Sequence, residues 1–383
     1  MSTLVRSFAK INIGLKIGPA REDGFHELRT IYQTVALADT VRVDVGRGVG
    51  IEIACKDQRV PADESNTCWR VAERVLKALK MRGKVRITIE KRLPVQGGLG
   101  AASSNAVATM MALEKELKKR LPAEERLRIA SEVGSDVPLF LIGGTVLGTG
   151  RGEQVYAMED LPSWHCVIAT PAVGVSTPQA FAEWDKKTRA EARTAGDAST
   201  PSGENRRLLG APGGATRSSQ DLKLAESGKL TTGNCSDKMS MFSRSVYEWL
   251  SGSNYSPTGV PGGWDRAEAL LLDLVRTGIE NDFESVVFPK YPAIREAKRA
   301  LERSGAKYVS LSGSGSAVYG LFLDGENAAK AAQKLGDNGI SALATETLTR
   351  ERYWKEMFGS GDRRDRVIAV IGKGKNLTTD EHG

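Results

Sequence analysis

The stretch that most restricts the fold of this chain runs from Val85 to Leu117. Val85-Arg86-Ile87-Thr88-Ile89-Glu90 alternates apolar and polar residues, the period of a half-buried strand. "PVQGGLGAASSNAV" follows at 94–107, and Ala106, Met110, Leu113 and Leu117 then recur at helical spacing. A strand that passes through a glycine-rich turn into a helix offers backbone N–H groups and a positive helix end to an anion, above all phosphate. Two familiar templates fail. No Gly-Lys-Ser/Thr closes the turn as in a P-loop, and Ser103 stands where a dinucleotide fingerprint takes its third glycine.

Residues 8–17, "FAKINIGLKI", also alternate, with Ala9, Ile11, Ile13, Leu15 and Ile17 on one side as core residues. Lys10 and Asn12 share the other side, where the pattern allows either a solvated strand face or a pair aimed into a cleft. A turn-rich segment, a second apolar run and "TVRVDV" come next. Asn66 then stands as N-cap to the amphipathic run Val71, Val75, Leu76 and Leu79. Another helix is expected over 123–133, with Asp136 in the short loop "GSDVP" beyond it. Strands first, then helix, strand, glycine-rich loop and helix make an α+β order rather than strict βαβ alternation. Further on, "AKYVSLSGSGSAVYGLFLD" reads as strand, second Gly/Ser loop and strand.

Composition narrows the function classes. A net charge of +7 suits an anionic small molecule, and no basic run or Arg/aromatic stripe supports nucleic acid. Cys55, Cys68, Cys166 and Cys235 are scattered without a CxxC pair, which argues for reduced thiols rather than zinc or disulfides. With His26, His165 and His382 the only histidines, a His-based metal site is disfavoured too. The longest membrane candidate, Val137 to Leu147, falls short of the ~20 apolar residues a span needs, and a cytoplasmic location is expected. Residues 186–263 differ in kind, rich in Ser, Thr, Gly, Ala and Arg. They are expected to be a surface insertion, flexible in part, although Met239, Phe242, Val246 and Leu250 are spaced for one docked helix. Near the C-terminus "RVIAVIG" is a candidate edge strand.

Four segments in chain order resemble the GHMP kinases: Lys10 on its strand, the glycine-rich loop, Asp136 in "GSDVP", and "SLSGSGSAVYG". The family's phosphate loop reads Pro-x-x-x-Gly-Leu-Gly-x-x-Ser-Ser. Pro94-Val95-Gln96-Gly97-Gly98-Leu99-Gly100-Ala101-Ala102-Ser103-Ser104 fits it. "REDGFHELRTIYQTVAL" and "NDFESVVFPKYPAI" resemble the branch whose alcohol substrate carries a cytidine diphosphate; other mevalonate- or homoserine-type members, or an S5-like nucleic-acid binder, are the alternatives. The likeness spans about 6–181 and 264–348. It implies an ATP-binding domain at 1–160 like domain 2 of ribosomal protein S5. A ferredoxin-like domain would follow at 161–358, interrupted by the insertion, with a tail at 359–383.

The same resemblance implies transfer of the ATP γ-phosphate to an alcohol, with Mg2+ expected from the reaction class and its ligands unassigned. Residues 94–104 would wrap the triphosphate, with Ser103 and Ser104 adding hydroxyl contacts. Asp136 would accept or orient the alcohol proton, Lys10 would offset the moving charge, and Asn12 would place the alcohol. Phe25 would stack on cytosine, His26 would bond its edge and Phe181 would close the sandwich. Ser312-Gly313-Ser314-Gly315-Ser316 would lie near the phosphates.

Overall fold

The computed structural model describes residues 2–95, 97–197, 239, 241–246 and 266–359. Gln96, Leu250, Cys235 and the "RVIAVIG" segment lie outside the described residues. Two long strands, β1 (Ser2–Ala20) and β2 (His26–Gly46), form an antiparallel hairpin along nearly their whole length. β2 also pairs with β4 (Lys84–Glu90) through Thr40–Gly46 and with β5 (Thr145–Thr149) through Thr30–Gln33. β3 (Gly50–Cys55) and β6 (Gln154–Ala157) complete a six-stranded sheet of order β3-β4-β2-β5-β6, with β1 added on β2. Helices α1 (Thr67–Ala78), α2 (Ala101–Leu117) and α3 (Ala123–Val133) share a core with β2 and β4. Asn66 caps α1 as expected, accepting from the Cys68 N–H at 2.9 Å.

The second sheet, of β7 (His165–Thr170), β8 (Tyr308–Leu311), β9 (Val318–Phe322) and β10 (Ser341–Glu346), is antiparallel in the order β10-β7-β9-β8. Helices of this half include α4 (Thr177–Asp197), α5 (Arg266–Arg276), α6 (Glu284–Lys290), α7 (Pro292–Arg303) and α8 (Gly325–Asp337). Both faces of the sheet are covered, as its strand periodicity dictates. Val167, Ala169, Val318 and Phe322 share a core with Ala297 and Leu301 of α7 and with Ala331 and Leu335 of α8. From the opposite face, Cys166, Ile168, Tyr319 and Leu321 join Ala9, Ile11 and Ile13 of β1. Helix α9 (Arg350–Met357) crosses back, burying Tyr353 and Met357 in the first core.

The apolar side of β1 is buried as expected. So is its polar side: Lys10 and Asn12 are each 2 % exposed, which removes the reading of a solvated strand face.

Within 186–263 the structure departs from expectation in one place and has the expected docked helix in another. Helix α4 continues through that boundary to Asp197. Farther along, Met239, Phe242 and Val246 are buried, and the last two enter the core with Ile13, Ile31, Leu274 and Ile279. Arg29 fastens the segment by donating to the Met239 carbonyl at 2.9 Å and to Ser243 at 2.5 Å. Gly14 leaves room for it, since a Cβ there would stand 2.9 Å from the Phe242 ring. The docked part is therefore core, not surface decoration. Phe242→Ala should cost about 3–5 kcal/mol of stability by urea unfolding; a loss below about 1 kcal/mol would contradict the burial.

Candidate active site

Lys10 is held on β1 with its ammonium turned into the fold. Its Nζ donates to Asn12 Oδ1 at 2.7 Å and lies 3.6 Å from Asp136 Oδ2, and 5.6 Å from the centroid of the Tyr32 ring. Asn12 is oriented in turn, donating through Nδ2 to Thr30 Oγ1 at 2.7 Å, while Thr30 donates to the Gly14 carbonyl. Tyr32, the register partner of Asn12 on β2, donates its hydroxyl to Asp136 Oδ1 at 3.1 Å. Burial lowers the Lys10 pKa from its ordinary value, and the charge and hydrogen bond of Asp136 oppose that shift. The Tyr32 hydroxyl is pushed well above its ordinary range, by burial first and then by Asp136. The Asp136 carboxylate is about a third exposed, which opens this cluster toward the cleft.

The glycine-rich loop lies directly against Lys10, whose N–H donates to the Leu99 carbonyl at 3.0 Å. Helix α2 starts just beyond. Its N-cap, Gly100, makes no side-chain bond, and the first turn holds no acidic residue. The opening N–H groups of such a helix have no intrahelical acceptor and are open to an anion. Of the two serines, Ser103 is half-buried in this turn. Ser104 departs from expectation: it is buried and accepts from Ser7 at 2.7 Å, so its hydroxyl is taken up inside the fold.

The second Gly/Ser loop closes on the first. Ser312 Oγ donates to the Gly98 carbonyl at 3.0 Å, and the Ala317 N–H donates to the Gly97 carbonyl at 3.1 Å. Ser314 and Thr177 hydroxyls meet at 2.8 Å. Gly313 faces Lys10, for a Cβ on it would stand 3.5 Å from Lys10 Nζ. Asn281, which the sequence reading did not single out, sets this loop by donating to the Leu311 and Gly313 carbonyls, each at 2.8 Å. Its neighbours Glu280 and Asp282 exchange backbone bonds with Leu15 of β1, so one segment ties the loop to the Lys10 strand. Nothing local in Asn281-Asp282-Phe283 announces a loop-holding role.

At the far end of β2 the structure arranges the aromatic residues differently from expectation. His26 and Phe181 stack on each other, centroids 5.0 Å apart and planes 11° from parallel, with Phe283 edge-on to Phe181. His26 Nε2 meets Asp185 Oδ1 at 2.8 Å. Phe25 is about half exposed and lies under the Arg151 guanidinium, 4.8 Å from its carbon, rather than opposite Phe181. Asp185 was also missed. It sits four residues after Phe181 on α4, one turn along the same face, a signal legible once the helix is known. Tyr32 lies six positions along β2 from His26, roughly 20 Å at strand rise.

Among the described residues no group of three or more acidic, His or Cys side chains is placed to hold a metal. Nor is any described helix long and apolar enough to cross a membrane. Two family models match along the chain: the GHMP kinases N terminal domain over 66–144 and the GHMP kinases C terminal over 267–341. The class is therefore that of the GHMP kinases. A 4-diphosphocytidyl-2-C-methyl-D-erythritol kinase of Solibacter usitatus is 33% identical over 94% of this chain and 94% of its own. The chain belongs to the 4-diphosphocytidyl-2-C-methyl-D-erythritol kinase family. A solved 4-(cytidine 5'-diphospho)-2C-methyl-D-erythritol kinase superposes with TM-score 0.59 at 25% identity, covering 91% of this chain and 99% of that one. A homoserine kinase from Cytophaga hutchinsonii shares the fold, with TM-score 0.55 at 19% identity and coverage of 91% and 95%.

Gly98 offers a direct test of how closely the loops meet. Its φ is +74°, and a Cβ would fall 2.1 Å from the Ser312 carbonyl oxygen. Gly24 has a similar φ of +82° with open space around it. Gly98→Ala should lower stability by more than about 2 kcal/mol, and Gly24→Ala by only the ~1 kcal/mol of the backbone preference. Equal losses in thermal melts would contradict the close approach.

Proposed function

We propose that this chain transfers the γ-phosphate of ATP to the 2-hydroxyl of 4-diphosphocytidyl-2-C-methyl-D-erythritol, a cytoplasmic step of the methylerythritol phosphate route to isoprenoid precursors. The observation that carries this reading is the Lys10–Asp136–Tyr32 cluster set against an uncapped helix N-terminus and two interlocked glycine loops. The N–H groups of 97–103 cradle the phosphates, and the α2 dipole supports the negative charge. Asp136 accepts the alcohol proton as the new O–P bond forms and the bond to the departing ADP breaks. Tyr32 holds one carboxylate oxygen and leaves the other toward Lys10 and the cleft. Lys10 offsets charge on the transferring group, where positioning and electrostatics supply most of the rate. Asn12, with its oxygen on Lys10 and its amide nitrogen on Thr30, acts on the alcohol through Lys10, which it keeps in place.

Mg2+, which keeps several waters and binds chiefly through substrate phosphates, needs few protein ligands. Ser103 and Asp136 are the side chains that would meet it, and its charge would neutralise the phosphate oxygens. At the other end, Asp185 fixes the His26 ring with Nε2–H toward itself, leaving Nδ1 to accept from the cytosine amino group. Phe25 supplies an exposed ring for stacking, and Phe181 acts by backing His26. The ~20 Å between the two ends matches a nucleoside diphosphate joined to a short alcohol.

The test is ATP consumption with the cytidylyl alcohol, mevalonate and homoserine compared. Turnover of the first alone is expected; turnover of another alcohol in its place sinks the assignment. Asp136→Asn should lower kcat by about 10²–10⁴ in a folded protein, the range of a lost general base, and near-normal turnover would remove Asp136 from the mechanism. Because burial lowers the Lys10 pKa below its ordinary 10.5, its positive charge is lost at lower pH than in a free lysine. The alkaline limb of kcat/KM should accordingly begin below that value, and a profile flat to pH 10.5 would contradict a catalytic Lys10.

A further inference from the structure

We propose that Asp39, a carboxylate outside the reaction centre, is the positioning residue that ties the two ends of the phosphate loop together. Asp39 lies on β2, fully buried, opposite Ser7 of β1. Four donors converge on it. The N–H groups of Arg92 and Leu93 donate to Oδ1 at 2.7 and 2.8 Å. Lys91 Nζ and Asn105 Nδ2 donate to Oδ2 at 2.5 and 3.1 Å. Leu93 is the residue before the loop and Asn105 the residue after it. The chain thus leaves one carboxylate oxygen, runs through 94–104, and returns to the other. The neighbouring strand repeats the tie, since Ser7 donates to Ser104 at 2.7 Å.

The cradle for phosphate is made of main-chain N–H groups, so its shape is set by where the loop begins and where α2 begins. Carbonyl bonds at Gly97, Gly98 and Leu99 fix the middle of the loop against Lys10 and the second Gly/Ser loop. Asp39 fixes its ends. A carboxylate can accept from donors at both oxygens; an amide of the same shape would turn an NH2 toward some of them. Buried beneath the loop, Asp39 touches no ligand and acts through the backbone it holds. The inference rests on 94–104 being the nucleotide loop and not on the identity of the alcohol.

The test uses the full-length chain and Asp39→Asn. ADP affinity is measured by calorimetry in the presence of Mg2+ and without alcohol, followed by both KM values and a thermal melt. ADP Kd and the KM for ATP should rise at least tenfold, about 1.4 kcal/mol, while the KM for the cytidylyl alcohol stays within twofold. A folded variant with unchanged ADP affinity, or with both KM values raised alike, overturns the proposal. Should Asp39→Asn fail to melt cooperatively, Asp39→Asn/Lys91→Met removes the ammonium that the single change would strand. Compared with Lys91→Met it should show the same tenfold loss; failure of the double variant to fold makes Asp39 a stability residue and overturns the proposal too. Wild-type protein that binds ADP but phosphorylates no cytidylyl alcohol sinks only the substrate assignment.

Discussion

An ammonium group buried in a strand between two sheets is the constraint around which this molecule is arranged. Stripping Lys10 of water is unfavourable by several kcal/mol unless partners replace the solvent. Asn12 Oδ1, the Asp136 carboxylate and the Tyr32 ring face do so. Those partners come from three separate places in the chain, and each is itself held: Asn12 by Thr30, Asp136 by Tyr32. The same arrangement that makes the lysine tolerable leaves Asp136 as the member open to the cleft. Stability and the proposed chemistry therefore draw on one network.

The second sheet is needed for that burial. Its Ile168, Tyr319 and Leu321 face Ala9, Ile11 and Ile13 of β1, and the Tyr319 hydroxyl donates to the Asn12 carbonyl at 2.8 Å. Asn281 and its neighbours bind β1 on one side and the 312–316 loop on the other. Two glycine loops far apart in sequence then interlock through their own carbonyl and N–H groups. Side chains at Gly98 would prevent it.

Local pattern made much of this legible. The 8–17 strand, the 67–78 and 123–133 helices, and the strand–loop–helix around 94–104 follow from period, capping and glycine placement. The candidate site was legible where a residue sits inside a recognisable motif, as for Lys10, Asp136 and the loop itself. It was not legible for Tyr32, Asn281, Asp185 or Asp39, polar residues in ordinary strand, turn and helix settings. Their roles come from contacts with partners 30 to 159 positions away, which no local window contains. Met239, Phe242 and Val246 mark the intermediate case: helical spacing was visible, but the surrounding composition hid that they enter a core.

By itself the sequence determined the α+β class, the candidate phosphate loop and the residue types of a GHMP kinase, because these depend on short-range periodicity and on glycine and serine at set spacing. Only the tertiary structure decided that both faces of β1 are buried, that Ser104 points into the fold while Ser103 remains near the cleft, and that Phe181 backs His26 rather than facing Phe25. Such outcomes depend on which distant side chain fills a given space and which donor reaches a given acceptor. Close packing and hydrogen-bond satisfaction settle them across the whole molecule at once.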